Sequence, residues 1–466
     1  MLMSRRMTVN SPLPFPTPSM EGNVWPAVPN RRSAIMLSLL FQLEQSQWWD
    51  KERLQAAQFR QAAELLRHAR RTTPYYGERL SEIGWRYGQP LTAEIWSELP
   101  LLRREDIQDA GERLHSRALP KSHGKTGTIS TSGSTGKPVR VLTTELTTAM
   151  WVACTLRDYI WRRCDFGAKL VAIRYDRSET ATYPDGKQAR SWGGAYGGAL
   201  PTGPGSMLSI MTPVAKQVEW LARQDANYFI TFPSNLEAIL RHCQAENIRL
   251  PKLREVQTMS ELLKPPLREL CQEVWGVPLT DMYTCQEAGY IALQCHGHTH
   301  YHAQAENMIV EVLNDDGSAT APGETGKVVV THLHNFASPL IRYDIGDFAE
   351  VGEACPCGRG LPVFNRIVGR ARGLITLPNG DQFWPFFSNH KFAEIAPIRQ
   401  YQIVQKSRES LEIRLVVEPN LSAEQEDKMR TLLAARLGYP FAMTFSYFDE
   451  IPRSASGKFE DFKSEL

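Results

Sequence analysis

The first group of side chains that could do chemistry lies in a short glycine-rich segment. Ser130 to Lys137 combines five hydroxyl side chains with two glycines and ends in a lysine. Glycines let a backbone approach phosphate oxygens closely, and the amides and hydroxyls donate hydrogen bonds to those oxygens. We therefore predict a phosphate-binding loop, the alternative being a flexible Ser/Gly-rich surface loop. A Walker A loop is excluded, because that motif needs a glycine where Thr131 stands and a serine or threonine where Pro138 stands.

Cysteines and histidines form a second group, divided between two segments. Four of the 11 histidines follow Cys295 at alternate positions up to His302, and Cys355 and Cys357 lie further along the chain. Thiolates and imidazoles are the ligands that a tetrahedral zinc ion prefers. Because Cys-x-Cys is tighter than the common Cys-x-x-Cys spacing, a second interpretation stays open, namely an exposed histidine-rich loop beside reduced thiols.

These segments need a scaffold, and the hydrophobic pattern predicts an α/β one. Short apolar runs at Leu170–Ile173 and Tyr228–Thr231 are separated by amphipathic stretches, which is typical of strands that alternate with helices in a partly parallel sheet. Met308–Leu313 and Gly326–Thr331 flank a turn signal and predict a hairpin. From Arg399 onward the pattern indicates two strands, a helix and a further strand.

The same pattern predicts the domain organisation. We expect an α/β fold in which residues 31–369 form a large multi-layer N-terminal domain of mixed sheets and helices. Residues 370–466 are expected to form a small, mobile α+β lid domain. Residues 1–30 contain Pro12, Pro14, Pro16 and Pro18, and we expect them to be a disordered arm.

The overall composition excludes several classes of protein. The 466 residues carry a formal net charge of +2, which argues against a chain whose main task is to coat nucleic acid or an anionic membrane. Eight cysteines are too few for a disulfide scaffold. Apolar tracts such as Ala34–Leu43 are too short to span a bilayer, and Arg5-Arg6 is not followed by the apolar run of a signal peptide. We therefore expect a cytoplasmic protein with no nucleic-acid or membrane partner.

The glycine-rich segment resembles the phosphate loop of the adenylate-forming enzymes, which include acyl- and aryl-CoA synthetases, luciferases and peptide-synthetase adenylation domains. Four further segments resemble motifs of that superfamily and occur in its order. They are the aromatic–Gly–x–Thr–Glu motif at 281–289, the Tyr–x–x–Gly–Asp motif at 342–347, the Gly–Arg hinge motif at 367–370 and the Pro–x–Ser/Thr–x–Gly–Lys motif at 452–458. Within the superfamily the phenylacetate–CoA ligase branch is the most similar, and that similarity extends to Trp96–Ile107.

The resemblance implies a role for single residues. Lys458 would bridge the substrate carboxylate and the α-phosphate of ATP, and Glu287 would ligate Mg²⁺, a hard ion that prefers carboxylate oxygen. Asp347 would accept hydrogen bonds from both ribose hydroxyls, because a carboxylate can take two. The remaining ATP-binding residues would be Ser130, Thr131, Ser132, Gly133, Ser134, Thr135, Gly136 and Lys137 on the phosphate loop, with Tyr283, Gln286 and Arg370 elsewhere.

The branch also implies a ligand set for the metal. Some of its members carry a structural zinc ion, and the matching residues here are Cys295, His302, Cys355 and Cys357, with His300 in reserve. The chain departs from the superfamily at two places. Thr284 and Gln286 replace the usual glycine and threonine of the glutamate motif, and Ala371-Arg372 follow the hinge where an acidic residue or a lysine is usual.

The expected substrate is a small carboxylic acid. Trp192, Tyr196 and Gly197 lie where the branch shapes its acyl pocket, and they would suit an aromatic or apolar acid. The alternative is a glycine-rich linker with two packed aromatic residues. We expect an AMP-forming carboxylate–CoA ligase of the phenylacetate–CoA ligase type that uses ATP, Mg²⁺, CoA and a structural Zn²⁺, with a homodimer as a candidate assembly. Two alternatives remain: transfer of the acyl group to a carrier-protein thiol or an amine, and a non-catalytic binding scaffold.

Overall fold

The computed structural model describes residues 13–80, 84–130, 139–176, 178–193, 199–370, 373–385, 387, 391–392, 394–454 and 457–466. Its α-helices are α1 (Arg31–Ser46), α2 (Lys51–Thr72), α3 (Pro74–Arg79), α4 (Ala93–Glu98), α5 (Arg104–Ala110), α6 (Glu145–Trp161), α7 (Val214–Ala222), α8 (Pro233–Ala245), α9 (Pro265–Trp275) and α10 (Ala423–Leu437). Within these residues, no helix combines the length and apolar character needed to cross a membrane.

Twenty strands accompany the helices in the described part of the chain. They are β1 (Thr126–Ser130), β2 (Arg140–Thr144), β3 (Leu170–Arg174), β4 (Lys187–Ala189), β5 (Gly205–Ser209), β6 (Tyr228–Thr231), β7 (Glu255–Met259), β8 (Leu279–Cys285), β9 (Gly289–Gln294), β10 (Tyr301–Ala303), β11 (Met308–Leu313), β12 (Thr325–His332), β13 (Tyr343–Val351), β14 (Val363–Arg370), β15 (Ile375–Thr376), β16 (Gln382–Phe383), β17 (Gln400–Ser407), β18 (Ser410–Val416), β19 (Ala442–Tyr447) and β20 (Phe462–Ser464).

The chain divides into two compact units. The first contains Met1–Ile345 and Glu350–Arg366, and the second contains Gly346–Ala349 and Ile367–Leu466. The second unit therefore takes a short piece of β13 in addition to the C-terminal part of the chain. The mixed α/β architecture predicted from the sequence is confirmed.

The first unit is built on a twelve-stranded sheet in the order β11-β12-β13-β14-β10-β9-β8-β7-β6-β3-β5-β4. Strands β5, β3, β6, β7 and β8 run parallel to one another, which confirms the predicted partly parallel sheet. Successive side chains of these strands point to opposite faces of the sheet, and each face packs against its own layer of helices. Phe229 packs with the core under α7, α8 and α9, whereas Tyr228 packs with the core under α1 and α6.

Two hairpins matter for the site. β11 and β12 pair antiparallel with Met308 opposite His332, as the sequence predicts. β1 and β2 form a separate two-stranded sheet in which Ser130 lies opposite Arg140. The rest of the predicted phosphate loop, Thr131 to Lys137, lies outside the described residues.

The predicted N-terminal arm is described from residue 13 onward. Residues 13–30 contain neither helix nor strand. The Thr17 amide donates to the carbonyl oxygen of Ala199 at 3.0 Å, and Leu13 packs against the core under α1 and α6. The described part of the arm is therefore attached to the first unit.

The second unit has a four-stranded sheet in the order β19-β18-β17-β20. α10 packs on this sheet through Met429 and Leu433, which are fully buried beside Ile403 and Leu415. The helix begins after Ser422, whose hydroxyl and amide exchange hydrogen bonds with Gln425 in a capping box. The order of strands and helix agrees with the pattern read from Arg399 onward.

Candidate active site and metal centre

A cavity of about 120 Å³ opens in the first unit beside the glutamate motif. Its wall combines hydroxyl, aromatic, amide and carboxylate side chains from β1, β2, α6, the turn after β8 and the hairpin β11–β12. The lining residues are Ile129, Thr143, Thr147, Thr148, Trp151, Gln286, Glu287, Ala288, Gly289, Tyr290, Asn307 and His332. Ile129 directly precedes Ser130, so the strand that leads into the predicted phosphate loop and the predicted Mg²⁺ ligand line one cavity.

The turn between β8 and β9 places Glu287. The two strands pair antiparallel, with a register shift between Tyr283 and Thr284, and the chain reverses over the next residues. Gly289 adopts a φ of +93°, and a Cβ there would lie 3.3 Å from the ring of Trp151. Only glycine accepts that conformation without strain, and its missing side chain leaves room for the tryptophan that lines the cavity.

Glu287 lies beside a cation. Its Oε1 is 3.6 Å from Nη1 of Arg104, the first residue of α5, and both side chains are largely shielded from solvent. Sequence reasoning placed Arg104 in a segment similar to the phenylacetate–CoA ligase branch but assigned it no role. A carboxylate at a cavity wall, together with substrate phosphates, is the donor set that Mg²⁺ takes in nucleotide-using enzymes, and the residues present therefore fit that ion.

The cavity wall also contains an aromatic pair and two buried polar residues. The rings of Trp151 and Tyr290 contact one another with centroids 4.7 Å apart and planes tilted by 49°, and they add apolar surface to the wall. His332 and Asn307 are almost completely buried. Burial lowers the pKa of His332 to about 3, so its imidazole is neutral near pH 7. Sequence reasoning missed all four residues.

The predicted acyl-pocket residues are not brought to this cavity in the part of the chain that the structure describes. Trp192 is buried in the core under α6, where its indole N–H donates to the carbonyl oxygen of Ala168 at 2.7 Å and its ring stacks on Phe166. Tyr196 and Gly197 lie outside the described residues. The other predicted ATP-binding residues of the first unit are Tyr283, buried in β8, and Gln286, exposed at the mouth of the cavity.

Two predicted nucleotide-binding residues adjoin one another in the second unit. Nε of Arg370 is 3.3 Å from Oδ1 of Asp347. Gly346 precedes Asp347 with a φ of +76°, and Gly369 precedes Arg370 with a φ of +122°. Both side chains therefore follow backbone turns that favour glycine.

The predicted catalytic lysine lies on a tight loop of the second unit. The amide of Lys458 donates to the Ser454 hydroxyl at 3.1 Å, and the Ser454 amide donates to the Lys458 carbonyl oxygen at 2.8 Å. Gly457 turns the chain with a φ of +78° just before the lysine. These bonds fix the backbone from which the lysine side chain extends.

The four predicted metal ligands come together in the first unit. The ligand atoms of Cys295, His302, Cys355 and Cys357 all lie within 4.8 Å of one another. The sulfur atoms of Cys295 and Cys355 are 3.8 Å apart. A tetrahedral ion with bonds of about 2.3 Å to sulfur holds two sulfurs about 3.8 Å apart, so this donor set and its spacing fit zinc.

Neighbouring groups orient the ligands. His302 Nδ1 is 3.5 Å from the carbonyl oxygen of Leu361, and Nε2 is 3.4 Å from Sγ of Cys357. Burial lowers the pKa of His302 to about 4, so the ring is neutral, as a metal ligand must be. The reserve histidine, His300, has Nε2 2.9 Å from Sγ of Cys355 and can donate a hydrogen bond to that sulfur.

The Cys/His cluster also joins the ends of two helices. Arg359 Nε donates to Oε1 of Gln47 at 2.7 Å, and the indole N–H of Trp161 donates to the same oxygen at 3.0 Å. The Trp161 ring meets His302 edge-on. Gln47 follows α1 and Trp161 ends α6, which also carries Trp151 of the cavity ten residues earlier. The cluster therefore fastens the helix that forms part of the cavity wall.

Solved structures share this architecture. A 2-hydroxyisobutyryl-CoA ligase in its postadenylation state, in complex with 2-HIB-AMP, aligns over 88% of this chain and 89% of its own, with 16% identity and a TM-score of 0.68. The chain therefore has the fold of adenylate-forming CoA ligases. Two other ligases of this fold align less extensively. Anthranilate CoA ligase AuaEII in complex with anthranoyl-AMP covers 71% of this chain and 64% of its own, at 16% identity and a TM-score of 0.52.

The third structure is o-succinylbenzoate CoA synthetase from Bacillus subtilis in complex with its acyl-adenylate, OSB-AMP. It covers 72% of this chain and 67% of its own, with 18% identity and a TM-score of 0.50. In sequence, the CapK C-terminal domain family matches residues 378–465, within the second unit. No protein of curated function matches the chain.

Proposed function

We propose that this protein is an ATP-dependent, AMP-forming acid–thiol ligase. One observation carries the proposal: Glu287 and Ile129, the residue before the predicted phosphate loop, line one cavity that could hold a small acid. The fold supports it, because solved structures that share this fold hold acyl-adenylates. A carboxylic acid would be activated by ATP and then passed to CoA.

In the first half-reaction a carboxylate oxygen attacks the α-phosphorus of ATP, and pyrophosphate leaves. Ser130 and the loop that follows would bind the β- and γ-phosphates, while Asp347 would accept the ribose hydroxyls and Arg370 would contact the ribose or a phosphate. Lys458 would hold its ammonium beside the substrate carboxylate and the α-phosphate, where it stabilises the negative charge of the transition state. Mg²⁺ bound through Glu287 would neutralise phosphate charge.

In the second half-reaction the thiol sulfur attacks the carbonyl carbon of the acyl-adenylate. A C–S bond forms, the bond to the AMP oxygen breaks, and the thiol proton passes to solvent. We propose CoA as the acceptor. The hinge departure at Ala371-Arg372 lies outside the described residues, so a carrier-protein thiol or an amine stays as the alternative acceptor.

We propose an aromatic or apolar carbon skeleton for the acid, of the type that phenylacetate–CoA ligases use. The adjoining rings of Trp151 and Tyr290 in the cavity wall support this choice, because aromatic side chains offer apolar surface to an apolar ligand. We further propose that Cys295, His302, Cys355 and Cys357 hold a zinc ion. Four protein ligands leave no open position, so its role would be structural. The cytoplasmic location and a homodimer remain predictions from the sequence.

Exchange of pyrophosphate into ATP, driven by a panel of carboxylic acids, tests the adenylation step. At least one acid should drive exchange, and Lys458→Ala should lower the rate by at least about 100-fold, since it removes charge stabilisation in the transition state. Lys463→Ala is the matched control, because Lys463 lies in the same unit and pairs with Glu465 at 2.8 Å. If no acid drives exchange, or if the Lys458 variant exchanges pyrophosphate as fast as the parent protein, the proposal is refuted.

The acceptor is tested separately. CoA is added to the enzyme, ATP and the active acid, and the thioester is measured by mass spectrometry. A thioester identifies CoA as the acceptor. Exchange without a thioester would refute CoA and leave adenylation standing.

A further inference from the structure

Two buried polar side chains in the cavity wall lack hydrogen-bond partners at three atoms. Both ring nitrogens of His332 and Oδ1 of Asn307 are buried, and none of the three has a partner among the residues that the structure describes. The two residues are 5% and 3% exposed. Burying a polar group without a partner destabilises a folded chain, and native structures contain few such groups. These three atoms therefore need an explanation.

The hairpin holds both residues at one end. His332 lies opposite Met308 at the end of the β11–β12 ladder. The Leu333 amide donates to the carbonyl oxygen of Asn307 at 3.1 Å, so the backbones of the two polar residues are joined there. Both side chains line the cavity that contains Glu287. The two residues that carry the unsatisfied atoms thus belong to the wall of the proposed acid site, not to a remote part of the core.

The available atoms define the chemistry of a ligand. A neutral imidazole offers one N–H donor and one nitrogen acceptor. The amide nitrogen of Asn307 faces the carbonyl oxygen of Tyr290 at 3.5 Å, which leaves Oδ1 as an acceptor. A group that both donates and accepts complements this set, and a hydroxyl does both. An anionic group only accepts, so it would leave Oδ1 of Asn307 unpaired.

We propose that His332 and Asn307 form a polar subsite that binds a hydroxyl group on the carbon skeleton of the acid. The substrate class is then a hydroxylated carboxylic acid, with either an aromatic or an aliphatic carbon skeleton. This inference rests on the proposed function, because it concerns the acid that is adenylated. The part of the acid inside the cavity is small, since 120 Å³ is below the roughly 150 Å³ of an engineered cavity that binds benzene.

Matched pairs of acids test the subsite. Benzoate is compared with its three monohydroxy isomers, and butyrate with 2- and 3-hydroxybutyrate, by kcat/KM for pyrophosphate exchange. At least one hydroxylated acid should exceed its parent by about 10- to 100-fold, because the parent leaves the buried groups unpaired. His332→Leu and Asn307→Leu should each reduce this ratio by about tenfold. His332→Gln, which keeps a donor and an acceptor, should restore part of it.

His334→Leu is the matched control. His334 is also buried, but its Nε2 donates to the carbonyl oxygen of Glu306 at 2.9 Å, and it does not line the cavity. This variant should keep the preference for the hydroxylated acid and should unfold at a lower temperature. His332→Leu should unfold at the same temperature as the parent protein or a higher one, because it removes two unpaired buried nitrogens.

The outcomes separate the two proposals. If plain and hydroxylated acids drive exchange equally, or if the ratio survives both leucine substitutions, the subsite is wrong and the adenylating function stands. A lower unfolding temperature for His332→Leu with an unchanged ratio would show a structural role only, which also overturns the subsite. If no acid of either kind drives exchange, the proposed function itself fails.

Discussion

The Cys/His cluster and the cavity beside Glu287 both bury polar side chains in the first unit, but they differ in how those groups are satisfied. In the cluster, the ring of His302 lies between a carbonyl oxygen and a thiol. The sulfur of Cys355 accepts a hydrogen bond from the amide of Cys357 and lies within hydrogen-bond distance of a ring nitrogen of His300. In the cavity, three atoms of His332 and Asn307 have no such neighbour among the described residues. Groups that satisfy one another stabilise the fold, whereas unpaired groups at a cavity are available to a ligand.

The substitution with the largest expected effect removes one predicted metal ligand from the cluster. Cys355→Ser should abolish binding of one zinc ion per chain and lower the free energy of unfolding on the order of 5 kcal/mol or more, because metal binding and folding are coupled. Metal analysis and urea unfolding measure the two effects. Cys243→Ser is the control, since Cys243 is buried in another core and lies outside the cluster. If the Cys355 variant still binds one zinc ion per chain, the assignment of Cys355 as a ligand is wrong.

A second test removes one partner of a buried ion pair. The fully buried side chain of Arg157 is 2.8 Å from Oε1 of Glu306, the residue before Asn307. Burial acts to raise the pKa of Glu306, but the charge of Arg157 lowers it overall. Arg157→Leu removes the positive charge beside this carboxylate and leaves it with the hydrogen bond from Ser46, so it should cost about 3–5 kcal/mol of unfolding free energy.

The control for Arg157 is an exposed pair of the same type. Nη1 of Arg254 is 3.0 Å from Oδ2 of Asp165, and both side chains are about half exposed. Arg254→Leu should change the free energy of unfolding by about 1 kcal/mol or less. Equal losses in the two variants would show that burial of the Arg157 pair does not set its contribution. Glu306→Gln in the Arg157→Leu background should recover part of the loss.

The pH dependence of stability tests the cavity histidine. The pKa of His332 is about 3 in the folded chain, against 6.5 when it is exposed, so between these values the unfolded chain binds a proton that the folded chain does not. The neutral His332 therefore makes its full contribution to stability above pH 6.5, and the free energy of unfolding declines as the pH falls, by up to about 1.4 kcal/mol per pH unit. From pH 7 to pH 5 the free energy of unfolding should fall by about 2 kcal/mol from this histidine alone. His332→Leu should remove that part of the slope.

Urea unfolding at pH 7 and pH 5 gives the slope of the unfolding free energy against pH. Zinc content is measured at both pH values, so that a loss of metal is not mistaken for protonation of His332. A variant with the same slope as the parent protein would show that His332 is protonated as readily in the folded chain as in the unfolded one.

The smallest effect comes from the glycine that makes room for Trp151. Gly289 and Gly317 have similar φ values of +93° and +84°, but an added Cβ meets Trp151 only at Gly289 and nothing within 4 Å at Gly317. Both alanine variants should lose about 1–2 kcal/mol of unfolding free energy through backbone strain. Only Gly289→Ala should also raise KM for the acid, because Trp151 must move. Equal acid KM values in the two variants would contradict a role for Trp151 in the cavity wall.

The sequence predicted the two regions with different success. The Cys/His cluster was recognisable as a candidate metal site because its residue types are rare and grouped, and the resemblance selected His302 from four histidines. Likewise, alternating apolar residues located the hairpin β11–β12 and the strands of the second unit. The cavity wall was not predicted, because Trp151, Arg104, Asn307 and His332 come from distant segments, and each is an ordinary residue in its own segment. Trp192 was predicted for the acyl pocket because it is aromatic, but it packs in the core under α6. Residue type alone does not separate a core aromatic from one that lines a pocket.

Helix α6 connects the Cys/His cluster with the wall of the cavity. Its last residue, Trp161, lies beside His302, and Trp151, ten residues earlier, lines the cavity, so about 15 Å of helix separates the two tryptophans. If the cluster holds zinc as proposed, the ion would fix the C-terminal end of this helix. We therefore expect removal of the metal to reduce discrimination among acids as well as stability.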